Sequence, residues 1–413
     1  MIIKDDIRSQ FEIFSNNQDV IYFDNSATTQ RPKCVINSIT EYYKEYCANA
    51  GRGVYSWANK VSKKVEVVRK KVADFVNCKK EEIIFTTGAT HSSNMICYSY
   101  AMSNLKDGDE VMVCYTDHKS TVLPWLNLKE ILFNFGINII VREIFVDAEG
   151  DYNEDLLIDS MSSKTKIIVL THIHNVYGLE NNIEFLTSQI KHKNKDTLIV
   201  LDATQSIGHI KVDIEELRPD FLYFSGHKMF AGNGVGVLYI KKELQEKCRP
   251  FMIGGNFNKE ESVDKSLTDF DRKSDFFECG TLNFPDIISL GSAIDFINAI
   301  DINEISIRLF ELTRYLYDKL KEIKEIEFDK GIDKCSCQIG YGIISFRVEG
   351  ILSSELGDIL SDNNIFVRSG RHCSTHDAQE TLRISLQIYN TTQEIDIFID
   401  VLKQIIDELK NGY

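Results

Sequence analysis

Leu198-Ile199-Val200-Leu201-Asp202-Ala203-Thr204-Gln205 is followed further along the chain by Phe221-Leu222-Tyr223-Phe224-Ser225-Gly226-His227-Lys228. Each stretch opens as an apolar run and closes in a polar cluster. A short apolar run with no polar alternation predicts a strand buried on both faces, as in a parallel sheet covered by helices. Similar runs stand at 83–86, 110–114, 138–144, 166–171 and 235–240. Helical spacing lies between them: Val61, Val65, Val68, Val72 and Val76 share one face of a helix over 60–77, and a second helix is expected over 90–104. The alternation predicts an α/β fold whose large unit holds a mostly parallel, seven-stranded sheet.

After Gly291 the texture changes. Helices are expected over 302–323, 353–361 and 392–409, with strands at 342–348, 365–367 and 382–386. That pattern reads as a smaller C-terminal α+β unit. The expected organisation is an N-terminal helical segment over 1–20, a large unit over 21–295 and a small unit over 296–413. The polar segment 256–277 is expected to be a long loop.

The chain has 413 residues, of which 43% are hydrophobic, so a packed core is within reach. Its 62 acidic against 47 basic residues give a net charge of −15, which argues against nucleic acid or anionic membrane as partners. No apolar run has the length of a membrane span, and the N-terminus has no apolar leader core. A cytoplasmic protein with reduced thiols is therefore expected. Ten cysteines are scattered without a CxxC pair, so a zinc ribbon is not expected and most should be small core residues.

Ligands of open α/β sheets gather beyond the carboxyl ends of the strands, so the two opening clusters project into one crevice. An aspartate and a lysine on neighbouring strand ends suit pyridoxal 5′-phosphate. Lys228 would bond the aldehyde, and Asp202 would pair with the pyridinium nitrogen. Thr86-Thr87-Gly88-Ala89-Thr90 joins a strand to a helix and offers a phosphate its turn, its first amides and a hydroxyl. His118, in Thr116-Asp117-His118-Lys119, could stack on a flat ring and exchange protons. Asn175, in Thr171-His172-Ile173-His174-Asn175, could bond the phenolic oxygen. His172 and His174 have no third ligand close in sequence, so no metal is expected.

Taken together, the chain resembles a cysteine desulfurase of the class V, fold type I aminotransferase superfamily. Within it, the resemblance is to the SUF-type, group II enzymes that include selenocysteine lyases. The residues that carry it are 22–28 (Tyr-Phe-Asp-Asn-Ser-Ala-Thr), 49–53, Asp117-His118, Asp202–Gln205, Ser225–Lys228, Phe277–Thr281, Val367–Cys373 and Leu382–Ser385.

The resemblance implies conversion of L-cysteine to L-alanine, with sulfur passing to Cys373 as a persulfide for a protein acceptor in sulfur metabolism such as iron–sulfur cluster assembly. It implies that Gln205 and Asn175 contact the cofactor's phenolic oxygen and that His118 stacks on its ring. Ala89, Thr90, Ser225 and His227 would hold the phosphate, with Gly280 and Thr281 supplied by a second subunit of a homodimer. Arg383 would bind the substrate carboxylate beside Ala27 and Asn175, and Arg368 would lead into the loop of the nucleophile. Arg368, Arg371 and His372 are expected to make that loop cationic and so favour the Cys373 thiolate.

Three departures from the family pattern stand out: Arg371, Ser374 and Gly51. The region 331–342, where some relatives engage a zinc-bearing scaffold, has no histidine and carries Cys335 and Cys337 instead. Selenocysteine lyase, or another class V C–S lyase, epimerase or decarboxylase, remains the alternative activity. A catalytically inactive sulfur scaffold is disfavoured by the presence of Asp202, Lys228 and Cys373 together.

Overall fold

The computed structural model describes residues 5–51, 53–147, 150–255, 274–329, 341–373 and 380–411. Arg52, Cys335, Cys337, Ser374 and most of the polar segment 256–277 lie outside the described residues.

Seven strands form the large sheet: β1 Ile83–Thr86, β2 Glu110–Val113, β3 Ile140–Glu143, β4 Thr165–Thr171, β5 Leu198–Asp202, β6 Phe221–Ser225 and β7 Gly236–Ile240. Their order is β1-β7-β6-β5-β4-β2-β3, and only β7 runs against the others. Both faces are covered. In β5, Ile199 and Leu201 enter one core while Val200 enters another. In β6, Leu222 and Phe224 take the first side and Phe221 and Tyr223 the second. The two-residue period of a strand delivers alternate side chains to opposite faces, and here both faces are dry.

The first core is closed by helices α1 Ser56–Phe75 and α4 Phe284–Ile300. The second is closed by α2 Ala89–Met95 and α3 Lys119–Asn134. A π-helical stretch at Ile96–Ala101 continues α2, where the sequence predicts one regular helix. Helix α5 Ile302–Lys321 leads into the small unit. Strands β8 Ile326–Phe328, β9 Ile343–Val348, β10 Arg368–Gly370 and β11 Thr381–Ser385 form an antiparallel sheet ordered β10-β11-β9-β8. Helices α6 Ser353–Asp362 and α7 Thr392–Asn411 pack on it to give a third core around Phe346, Leu360, Ile384 and Phe398.

One connection ties the chain start to its end. Ile21 and Tyr22 pair in parallel with Ile365 and Phe366, and Asp24 then bridges to Ser385 on β11. This carries residues 24–28 between the two sheets and onto the site.

Candidate active site

Strands β4, β5 and β6, together with the turn after β1 and the start of α3, surround a cavity of about 190 Å³. Nine residues expected at the cofactor line it: Ala89, Thr90, His118, Asn175, Asp202, Gln205, Ser225, His227 and Lys228. The parallel strands bring their polar ends to one edge, which is why residues far apart in sequence meet there.

Asp202 is 5% exposed and held from two sides. The Thr121 hydroxyl donates to its Oδ2 at 2.7 Å, and the Thr204 amide donates to its Oδ1 at 2.9 Å. Thr121 lies one turn inside α3 and gave no signal in the sequence. Its replacement by valine leaves a buried carboxylate oxygen short of a donor, at a cost of about 1–3 kcal/mol. We expect Thr121→Val to weaken cofactor binding by about tenfold or more, read as the dissociation constant in a cofactor titration.

Lys228 follows β6 in a short 3-10 turn, Gly226–Lys228. Its amine donates to the carbonyl of Ala27 at 3.0 Å and to that of Ser26. Burial, with the Arg383 guanidinium beside it, pushes its ammonium down to about 7. A large neutral fraction near neutral pH makes this amine a nucleophile and a base.

His118 caps α3. Its Nδ1 accepts the Ser120 amide proton at 3.1 Å, so the ring proton of the neutral form stands on Nε2. Burial holds its pKa down despite the nearby Asp202 carboxylate. Asp117 is fully buried behind the cavity, where Tyr152 donates to it at 2.8 Å, and burial pushes its carboxyl up to about 7. His174 accepts the amides of Val176 and Tyr177 through Nδ1, so its Nε2 donates to the Thr116 carbonyl at 3.0 Å. Among the described residues no cluster of histidine, cysteine and carboxylate side chains could hold a metal.

On the side of the turn after β1, Gly88 adopts φ 153° and ψ 176°, a region open only to glycine. A Cβ on Gly236 of β7 would come within 2.4 Å of the Gly88 Cα, so both glycines are needed for the strand ends to close together. The Ala89 amide donates to Ser225 Oγ at 2.8 Å, and the Thr90 and Ser120 hydroxyls are 2.7 Å apart. His227 is pushed down to about 4 by burial and by Lys228, so it serves this wall as a neutral imidazole.

Cys373 does not line the cavity; it is exposed, on the loop after β10. His372 and Cys373 both have positive φ, 48° and 62°, which is strained for residues with a side chain. Hydrogen bonds to their carbonyls, from the Asn175 side chain and the Lys119 backbone, hold them there. The Asn175 amide donates to the His372 carbonyl at 2.9 Å, and the Lys119 amide, next to His118, donates to the Cys373 carbonyl at 3.0 Å.

One expectation is corrected at this loop. His372 is buried, its Nε2 donates to Thr381, and burial with Arg383 nearby pushes it down to about 3. It is neutral and adds no positive charge. Arg368 is also not a free cation, because Asp24 binds it at 2.8 Å. Arg383 is 3% exposed; its Nη1 donates to the Asn175 carbonyl at 2.9 Å, and its Nη2 lies 3.3 Å from Asp24. Asp24 was quoted in the sequence only as part of a motif, and its partners lie on distant strands.

Gly280 and Thr281 stand away from this cavity. Gly280 donates its amide to the Gly255 carbonyl, and the exposed Thr281 meets Asn49 at 3.5 Å.

The fold and this cluster define a lysine-centred site on a class V aminotransferase scaffold. The aminotransferase class-V family model matches residues 21–398, and the chain belongs to that family. Its similarities are to cysteine desulfurases. A probable cysteine desulfurase of Vibrio cholerae is 32% identical over 99% of this chain and 100% of its own length. One from Borreliella burgdorferi is 35% identical over 98% of this chain and 96% of its own. The apo structure of the cysteine desulfurase of Thermococcus onnurineus NA1 superposes with a TM-score of 0.90 at 31% identity, covering 98% of this chain and 99% of that one.

Proposed function

We propose that this chain is a pyridoxal 5′-phosphate-dependent cysteine desulfurase that converts L-cysteine to L-alanine and carries the sulfur on Cys373. The observation that carries this reading is the cavity that Lys228 and Asp202 both line, with the Cys373 loop tied by its backbone carbonyls to the same wall.

The residues suit the cofactor. Asn175 Oδ1, Gln205 Oε1 and Thr204 Oγ1 are buried without a protein partner, and all three residues line the cavity. Buried polar atoms left open in this way call for a polar ligand. Lys228 would hold the aldehyde carbon and Asp202 the pyridine nitrogen. Asn175 and Gln205 would serve the phenolic oxygen, and His118 the ring. Ala89, Thr90, Ser225 and His227 would hold the phosphate, joined by Gly280 and Thr281 of a second copy of the chain. Pyridoxal phosphate, when bound, supplies a sink for the electron pair left at the substrate Cα.

The chain's own groups do the rest. Arg383 orients the substrate carboxylate, its guanidinium fork matching two oxygens. Asn175 and Ala27 border the same space. The Lys228 amine takes the Cα proton, and the Nε2 proton of His118 is available on the opposite side of the exchange. Cys373 attacks the substrate sulfur; the Cβ–S bond breaks as the S–S bond forms, so cysteine and thiol become alanine and persulfide with no other reactant. L-selenocysteine fits the same groups. A protein sulfur acceptor, a cytoplasmic location, a use in iron–sulfur cluster assembly and the division at 20/21 and 295/296 belong to the same proposal. No helix among the described residues is long and apolar enough to cross a membrane.

Holoenzyme given L-cysteine should release alanine and accumulate one persulfide per site; no alanine from a fully loaded enzyme would sink the reading. The rate of cofactor capture by apoprotein should also depend on pH. The Lys228 amine becomes neutral as pH rises through about 7, so capture should speed up from pH 6 to 8 and then level off. A pH-independent stopped-flow rate would count against Lys228 as the attachment point.

A further inference from the structure

Arg368 and Arg383 stand directly opposite one another on β10 and β11. Like charges facing across an antiparallel pair repel, so the arrangement needs a counter-ion. Asp24 provides it from a remote part of the chain. Its backbone is pinned by the bridge to Ser385, two residues beyond Arg383.

The two arginines do not share it equally. Arg368 donates Nε at 3.0 and 3.2 Å to the two oxygens and Nη2 at 2.8 Å, a forked grip. Arg383 makes one longer contact, Nη2 to Oδ1 at 3.3 Å, while its Nε is buried with no partner. The Nε–Nη2 edge is the one that grips a carboxylate bidentately. Arg383 therefore keeps its gripping edge largely open, and Arg368 does not. The group adjoins the cavity through its neighbours: Arg383 donates to the carbonyl of Asn175, which lines the cavity, and the Lys228 amine is held by the carbonyls of Ser26 and Ala27, just beyond Asp24 in the chain.

We infer that Asp24 is a specificity-determining residue: by cancelling one of two facing guanidiniums it leaves a single positive charge to be met, and so selects an amino acid with one carboxylate over one with two. The inference rests on the reading above that Arg383 receives the substrate carboxylate. A second anion on the ligand would find Arg368 already paired and the Asp24 carboxylate beside it.

The test is a set of calorimetric dissociation constants for L-alanine and L-aspartate on the purified holoenzyme, which need no turnover. The wild type should favour alanine. Asp24→Asn should shift the ratio towards aspartate by about tenfold or more. Arg368→Gln should shift it the other way and weaken alanine. The double variant Asp24→Asn/Arg368→Gln, with the net charge of the wild type restored, should return near the wild-type ratio. An unchanged ratio in an Asp24→Asn protein that melts like the wild type overturns the inference. So does a double variant that keeps the ratio of either single one, and this comparison decides the matter should Asp24→Asn fail to fold. An enzyme that releases no alanine from L-cysteine yet shows these ratio shifts refutes the desulfurase reading and leaves the role of Asp24 standing.

Discussion

Cys373→Ala is expected to keep the cofactor, its colour and its affinity for L-cysteine, and to lose persulfide formation by about a thousandfold or more. Cys373 carries the one thiol in the sequence between β10 and β11, and a sulfur atom needs a thiol to accept it. The loop itself should survive. Its anchors are the carbonyls of His372 and Cys373, held by Asn175 and Lys119, and neither involves the sulfur. Cys97 and Cys114 are buried thiols whose pKa burial pushes up, which makes them poor substitutes. The measurement is labelling of protein-bound sulfane sulfur together with alanine release. Normal turnover in the alanine variant would show that sulfur leaves by another route.

Lys228→Ala is expected to be more severe, because in the proposed reaction one amine both attaches the cofactor and moves the substrate proton. Loss of both roles should lower alanine formation by at least about 10⁴-fold. Cofactor should still bind, through Asp202, Ser225, His227 and the turn at Gly88-Ala89, but without a covalent bond. Borohydride should then fix the cofactor to the wild-type chain and not to the variant, as peptide mass spectrometry would reveal. Cofactor fixed elsewhere in the variant, or activity within tenfold of wild type, would remove Lys228 from its role. The carbonyls of Ser26 and Ala27 lose their donor in this variant, so its melting temperature should be compared as well.

Most strands of the large sheet were legible because they are apolar on both faces; the edge strand β3, with Arg142 and Glu143 and no buried residue, was read from the apolar run that leads into it. The polar ends of β5 and β6 were legible for the same reason: they begin where the apolar runs stop. Strands β8 and β10 were not foreseen. They are three residues each, half-exposed, and carry charge, so their pairing comes from β9 and β11 rather than from their own composition. The π-helical stretch at Ile96–Ala101 has a sequence that suits a regular helix, and its extra residue per turn left no mark there.

Within the site, residue identity was easier to read than residue state. His372 is a histidine in a polar stretch, and sequence suggested a cation; its burial against Thr381 makes it neutral. Thr121 and Asp24 were missed because their partners are 81 and 344 positions away. Such contacts exist only once the sheets are assembled.

The pairing of Ile21 and Tyr22 with Ile365 and Phe366 has a consequence for the order of events in the making of the protein. Residues 21–28 are synthesised long before the groups that seat them, Ile365, Ser385 and Asn390. Domains tend to form from the N-terminal side during synthesis. Here the large sheet has all seven strands by Ile240. The carbonyls that hold the Lys228 amine cannot be fixed until well after that. The seat of the Lys228 amine is thus completed only once β11 has been made and has paired with residue 24.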